Sequence, residues 1–101
     1  MTEQKTPPAS TVQLQIELDP ETAQGMYVNM AMVNHTESEF TIDFIYVQPQ
    51  APKAKVRARV ISSAKHTKRL LLALQDSVAQ FERKFGTIDV SGAPQPPGIL
   101  N

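Results

Sequence analysis

The chain has 101 residues, of which 41% are apolar and 20% charged, and these proportions fit one globular domain and exclude a fibrous or wholly disordered chain. The net charge is zero, but residues 1–50 carry one cation against seven acids, and residues 51–69 carry seven cations and no acid. The absence of cysteine excludes disulfides, a thiolate nucleophile and cysteine-ligated zinc.

The first elements along the chain are an arm and a strand. Residues 1–11 are polar, contain two consecutive prolines and show no periodicity, so we expect a flexible arm. From Val12 to Asp19 apolar and polar residues alternate strictly, which predicts a half-buried strand. Residues 20–25 then have the composition of a turn.

Three further strands are predicted between residues 26 and 61. The second strand ends near Asn34, and the third continues to the prolines at positions 49 and 52. The fourth, residues 53–61, alternates small apolar side chains with cations. Apolar residues at even positions form the expected inner face of the last three strands: Met26, Val28, Met30, Met32, Phe40, Ile42, Phe44, Tyr46, Ala54, Val56, Ala58 and Val60.

A long helix follows the strands. Ser62 or Ser63 is the expected N-cap, and Gly86 is placed to end the helix. Apolar residues recur at steps of three and four, which predicts a stripe that packs on the sheet: Leu70, Leu71, Leu74, Val78, Phe81 and Phe85. The remaining residues, 91–101, form a Pro/Gly-rich tail that we expect to be extended or disordered unless something holds it.

The predicted fold is therefore α+β, a four-stranded antiparallel β-meander followed by one long C-terminal α-helix packed on the sheet. Its boundaries are an arm at 1–11, a single domain at 12–90 and the tail at 91–101. If each hairpin pairs residues of the same parity, Asp43 lies opposite Arg57 on the outer face and Asn29 lies beside them. The candidate interaction face on that surface comprises Tyr27, Asn29, Asp43, Ile45, Lys53, Lys55, Arg57 and Arg59.

No motif in the sequence indicates catalysis. There is no ordered serine, histidine and aspartate set and no Gly-rich phosphate loop, so we expect a non-enzyme with no cofactor and no metal site. The cations of the fourth strand, which recur about every 6.7 Å along one face, suit the phosphates of an extended single strand of nucleic acid. The alternative is that these cations protect a sheet edge from unwanted pairing.

Several short motifs together resemble a small bacterial family, the domain of unknown function 3467. They are Tyr27-Val28-Asn29, Glu39-Phe40 with Asp43-Phe44, and His66 with Lys68-Arg69-Leu70-Leu71. The resemblance covers roughly residues 11–88 and implies no established activity. The plan of four strands and a long helix is also similar to a subunit of the SecB export chaperone, and equally to the PUR-type nucleic-acid-binding repeat.

The preferred function is a non-enzymatic, homo-oligomeric interaction protein that binds polypeptide as a chaperone or adaptor does. The alternative is a nucleic-acid-binding module that uses the basic fourth strand. Because one helix covers one face of the sheet, we expect a homodimer or a dimer of dimers with the other face or an edge as the contact. No apolar stretch is long enough to cross a bilayer and the N-terminus lacks a signal-peptide core, so we expect a cytoplasmic protein without a membrane partner.

Overall fold

The chain forms an antiparallel sheet and one long helix. A computed structural model describes residues 13–50 and 53–92, and the backbone of residues 99–100. In chain order the elements are α1 (Pro20–Ala23), β1 (Met30–His35), β2 (Glu39–Gln48), β3 (Lys53–Ser63), α2 (Ala64–Phe85) and β4 (Ile99–Leu100). The strands lie in the order β3-β2-β1-β4, and each neighbouring pair is antiparallel. The predicted α+β class, with a helix after an antiparallel sheet, is confirmed.

The first predicted strand is wrong. Residues 13–19 belong to no strand, and the expected turn after them is α1, whose N-cap Asp19 accepts a hydrogen bond from the Thr22 N–H at 3.1 Å. A strand needs a neighbouring backbone to bond, and the edge of β1 is instead paired with β4, Ala31 with Leu100 and Met32 with Ile99. Three long strands form the meander, and a two-residue strand from the tail takes the fourth place in the sheet.

The pairing of β1 with β2 reverses the predicted faces of β1. Its turn pairs His35 with Phe40, an odd position with an even one, so Val33 lies opposite Ile42. A shift by one residue moves every side chain of a strand to the other face. Met30 and Met32, predicted on the inner face, therefore lie on the face away from α2. We call the side of the sheet that carries Ile42 the helix side, and the opposite side the outer face.

A β-bulge in β3 overturns the predicted pairing of β2 with β3. Phe44 pairs with Ala58 and Ile45 pairs with Val56, which leaves Arg57 as the extra residue. On the far side of the bulge Asp43 lies opposite Arg59, not opposite Arg57. The predicted Asp43–Arg57 pairing is wrong because a bulge changes which face each residue on one side of it occupies.

Helix α2 begins and ends where the sequence predicts. The Ser63 Oγ accepts a hydrogen bond from the His66 N–H at 3.1 Å, so Ser63 is the N-cap, and no loop separates the helix from β3. At the other end Gly86 adopts a φ of 98°, a conformation that favours glycine, and its N–H bonds the Glu82 carbonyl. Both signals are local, and both expectations are confirmed.

The packing of α2 is much looser than predicted. The proximal half of the helix lies over Phe40 and Ile42 but leaves an open cleft, and none of its side chains is buried. Among the described residues, Ile45 on the outer face is the one buried apolar side chain, and Asp43 beside it is the one buried polar side chain. The described chain thus buries little apolar surface on its own.

Two sequence expectations fall on residues that the structure does not describe. The arm at 1–11 lies outside the described residues, as does Val12 of the first predicted strand. Of the tail, residues 93–98 and 101 also lie outside them.

Candidate functional site

The eight residues predicted to form one interaction face are divided between different environments. Asp43, Ile45 and Arg59 share the outer face, where register places them in adjacent rows. Lys53 and Lys55 pair with Gln48 and Tyr46 on the helix side, where Arg57 and Tyr27 also contact the Tyr46 ring. The Asn29 side chain instead hydrogen-bonds the backbone of β2 at Val47. The predicted continuous face therefore does not exist.

Asp43 and Arg59 form a two-point ion pair in the middle of the outer face. The Arg59 Nε donates to Oδ1 of Asp43 at 2.8 Å, and Nη2 donates to Oδ2 at 3.0 Å. The Asp43 side chain is 2% exposed and that of Arg59 is 64% exposed. Hydrogen bonding from Arg59, aided by its charge, outweighs desolvation and holds the pKa of Asp43 below its ordinary 3.8. The pair thus neutralises a buried carboxylate.

Asn29 continues the ladder between β1 and β2 with its side chain. Its Oδ1 accepts a hydrogen bond from the Val47 N–H at 2.8 Å, and its Nδ2 donates to the Val47 carbonyl at 3.1 Å. The backbone N–H of Asn29 also donates to the Ile45 carbonyl at 3.0 Å. The side-chain amide thus takes the place of a peptide group, which fixes the segment before β1 against β2.

Tyrosines and cations meet on the helix side, at the end of the sheet far from the Ser63–Ala64 junction. The Arg57 guanidinium lies 5.8 Å from the centre of the Tyr46 ring, and the Tyr27 ring meets the Tyr46 ring edge to face at 6.3 Å. Lys55 is the cross-strand partner of Tyr46, and Lys53 is that of Gln48. We call this set the tyrosine–cation patch: Tyr27, Tyr46, Lys53, Lys55 and Arg57.

An apolar cleft of about 380 Å³ opens between α2 and the helix side of the sheet. The sheet contributes the cleft residues Val33, Phe40 and Ile42. The helix contributes Ala64, Thr67, Lys68, Leu70, Leu71 and Leu74. Apart from Thr67 and Lys68, every lining residue is apolar. The cleft could therefore accommodate the apolar side of another polypeptide segment.

The apolar stripe of α2 continues beyond the cleft. Val78, Phe81 and Phe85 follow Leu74 on the same side of the helix and are 42%, 48% and 67% exposed. The rings of Phe81 and Phe85 stack in a tilted pair with centres 4.9 Å apart. Within residues 13–50 and 53–92, nothing covers this half of the stripe, and this is the largest departure from the predicted packing.

Sequence reasoning found the stripe but missed the cleft. The three- and four-residue spacing of Leu70, Leu71 and Leu74 identifies the apolar side of α2. The same spacing predicts that this side packs closely on the sheet, which it does not. The distance at which a helix lies from a sheet leaves no periodic signal. Sequence reasoning also left Tyr46 out of the candidate face. The bulge that turns Arg57 towards the Tyr46 ring has no clear signature in an alternating strand.

The titratable groups form no metal-binding cluster in the described part of the chain. No group of three or more histidine, aspartate or glutamate side chains there is arranged to hold a metal ion. His35 packs against the Phe40 ring, with ring centres 5.5 Å apart. As to membranes, no helix within the described ranges combines enough length with enough apolar character to span a bilayer.

Comparison with known proteins identifies one family. A family model described as "Protein of unknown function (DUF3467)" matches residues 1–90. No curated protein and no solved structure matches the chain. The likeness to a SecB subunit therefore gains no support.

Proposed function

The chain belongs to the DUF3467 family of proteins of unknown function, and we propose that it acts as a non-enzymatic, homo-oligomeric interaction protein whose apolar cleft binds a polypeptide segment, the α2 helix of a second copy. The observation that carries the proposal is the open cleft beneath α2 together with the half-exposed stripe that continues from it. Contiguous exposed apolar surface of this kind is typical of interaction sites.

The small buried apolar surface supports self-association. A domain of this length must bury well over half of its unfolded surface to be stable, because ordering each residue costs about 1–2 kcal/mol of backbone entropy. Among the described residues, Ile45 is the one buried apolar side chain. A second copy would bury the stripe and the cleft together, and would thereby supply the missing stabilisation.

We assign the cleft to the distal half of α2 from a second copy. An amphipathic helix that lays its apolar side in a groove is a common recognition mode. Here one helix carries both the groove residue Leu74 and the protruding residues Phe81 and Phe85. Two antiparallel α2 helices related by a twofold axis would each insert the distal stripe into the cleft of the other, which closes the assembly.

Charges along the stripe favour this antiparallel arrangement. Lys68 at the rim of the cleft and Glu82 flank the same edge of the stripe, at equal distances in sequence on either side of Gln75. A twofold axis near Gln75 would bring Lys68 of one copy to Glu82 of the other. Complementary charges at the rim specify the orientation of a complex.

Light scattering after size-exclusion chromatography tests the proposal. We expect the unmodified protein to show at least twice the chain mass of 11.2 kDa, and Phe81→Glu to shift it towards the single chain. Leu72→Glu is the matched control, since Leu72 is 53% exposed and lies on the opposite side of α2. A mass of 11.2 kDa for the unmodified protein at micromolar concentrations would contradict self-association and leave the cleft for a polypeptide from another protein.

Charge reversal tests the antiparallel pairing itself. Lys68→Glu and Glu82→Lys should each weaken association roughly three- to tenfold, because each places like charges at the rim. The double variant should recover most of the loss, and Arg69→Glu, on the other side of the helix, should have little effect. Sedimentation equilibrium measures all four, and a double variant weaker than either single one would exclude the assigned orientation.

A further inference from the structure

The bulge in β3 divides the basic strand into two parts with different surroundings. Beyond the bulge Arg59 forms an ion pair with the buried carboxylate of Asp43. Before it Lys53 and Lys55 pair with Gln48 and Tyr46, on the helix side. With a regular register, Arg57 would lie on the outer face beside Arg59. Bulges commonly redirect a side chain towards a functional site, and this one directs Arg57 over the Tyr46 ring.

The hollow around Tyr46 has the lining of an anion site. Its volume is about 540 Å³, and it is lined by Tyr46, Gln48, Lys53, Ala54, Lys55 and Arg57. Three of these side chains are cations and none is a carboxylate. Lys53, Lys55 and Arg57 are all exposed, so their charges are available to a ligand in solution.

The tyrosines add a contact that a simple phosphate would not use. Tyr27 is 72% exposed, and it meets the ring of Tyr46 edge to face rather than covering it. Exposed aromatic rings beside a line of cations are the pattern with which proteins bind single strands, since unstacked bases lie on the rings and phosphates contact the cations. Paired bases are stacked within a duplex and cannot use such rings.

We propose that the tyrosine–cation patch binds single-stranded nucleic acid, with a base stacked on Tyr27 and adjacent phosphates held by Lys53, Lys55 and Arg57. Lys53 and Lys55 are alternate residues of β3 before the bulge and lie about 6.7 Å apart, a spacing that suits successive phosphates of an extended strand, and Arg57 follows them at the bulge. The apolar cleft lies against Phe40 and Ile42 and shares no residue with the patch. The patch is therefore a separate site from the apolar cleft.

Fluorescence anisotropy of a labelled oligothymidine of about 15 nucleotides tests the proposal on the full chain. We expect binding that weakens steeply with salt, and a slope of log affinity against log salt that falls by about 0.7 for each lost phosphate contact in Lys53→Ala/Lys55→Ala. Lys65→Ala/Arg69→Ala removes two exposed cations of α2 and is the matched control. Equal losses in the two double variants would overturn the proposal.

The stacking contact needs its own measurement. Tyr27→Ala should weaken oligothymidine binding about five- to a hundredfold, and Tyr27→Phe, which keeps the ring, should retain most of the affinity. Because Tyr27 is exposed, neither change should lower the melting temperature appreciably. Inorganic polyphosphate should compete poorly at equal phosphate concentration. Unchanged binding by Tyr27→Ala, or competition by polyphosphate equal to that by oligothymidine, would overturn the proposal.

Discussion

Asp43 is a buried carboxylate whose charge depends on one arginine. Arg59 contacts both of its oxygens, whereas the cation that the sequence favoured, Arg57, lies over Tyr46. Charge complementarity did not distinguish the two arginines. They are separated by two positions in the same alternating strand, so the alternation predicts both on the same face. The bulge decided between them, because it places Arg59 opposite Asp43 and leaves Arg57 beside the Tyr46 ring.

The ion pair predicts how stability depends on pH. The pKa of Asp43 in the folded protein lies below 3.8, so the unfolded chain binds the proton first as pH falls. The contribution of the pair to stability is therefore present above about pH 4 and is lost as pH decreases through the lower, folded pKa. Asp43→Asn should lower the melting temperature at neutral pH and flatten the decline below pH 4, measured by thermal unfolding across this range.

A carboxyl-carbon NMR titration isolates the contribution of Arg59. Arg59→Lys keeps the charge but loses the two-point geometry, so the pKa of Asp43 should rise towards its ordinary value. Asp19 serves as the internal control, because Thr22, first through its side chain and then through its backbone, holds the pKa of Asp19 below 3.8. An unchanged Asp43 titration in this variant would mean that another group stabilises the carboxylate.

At the scale of elements, α2 offers two leucines with equal exposure and different surroundings. Leu72 and Leu74 are both 53% exposed, but Leu74 lies in the apolar stripe and Leu72 is roughly 160° around the helix. In an isolated chain the two truncations to alanine would cost similar amounts. In the proposed assembly Leu74→Ala should cost about 2–5 kcal/mol and Leu72→Ala under about 1 kcal/mol.

Chemical denaturation of both variants measures this difference. The protein should be held at a concentration where the unmodified chain is associated, since the surroundings of Leu74 depend on the second copy. Equal losses would place Leu74 in solvent and contradict the use of the stripe as an interface.

The segment before α1 shows how an element depends on its partner. Leu14, Ile16 and Leu18 are 83%, 84% and 67% exposed, although they alternate as a half-buried strand should. The alternation predicts which residues share a side, but a strand also requires a backbone to bond. In the single chain β4 pairs with β1, and the described part of the N-terminal segment pairs with neither edge.

At the scale of the whole molecule, the shortage of buried apolar surface predicts stability that depends on concentration. If folding and association are coupled, dilution should lower the melting temperature of the unmodified protein. Scanning fluorimetry over a hundredfold range of concentration measures the shift, which we expect to be several degrees. Phe81→Glu should show a low melting temperature with no such dependence, and a constant value for the unmodified protein would indicate a chain that is stable alone.

The features that the sequence alone determined are those with short-range causes. The start of α2 at Ser63, its end at Gly86, its apolar stripe and the three long strands all follow from neighbouring residues, since capping, turn and periodic patterns act within a few positions. Of the candidate site, the predicted Asp43–Arg57 pair is wrong, because Asp43 pairs with Arg59, two residues further along the same basic strand.

Register, the face that each strand residue occupies, and packing depend on contacts between residues distant in the chain. The turn before Phe40 pairs odd with even positions, and this register places Met30 and Met32 on the outer face. One extra residue, Arg57, forms the bulge that divides the basic strand. Such shifts preserve the alternating pattern of each strand while changing every contact between strands, because side-chain direction repeats every two residues. The cleft arose in the same way: the apolar side of α2 is a property of its own sequence, but what covers it depends on surfaces distant in the chain or supplied by a second copy.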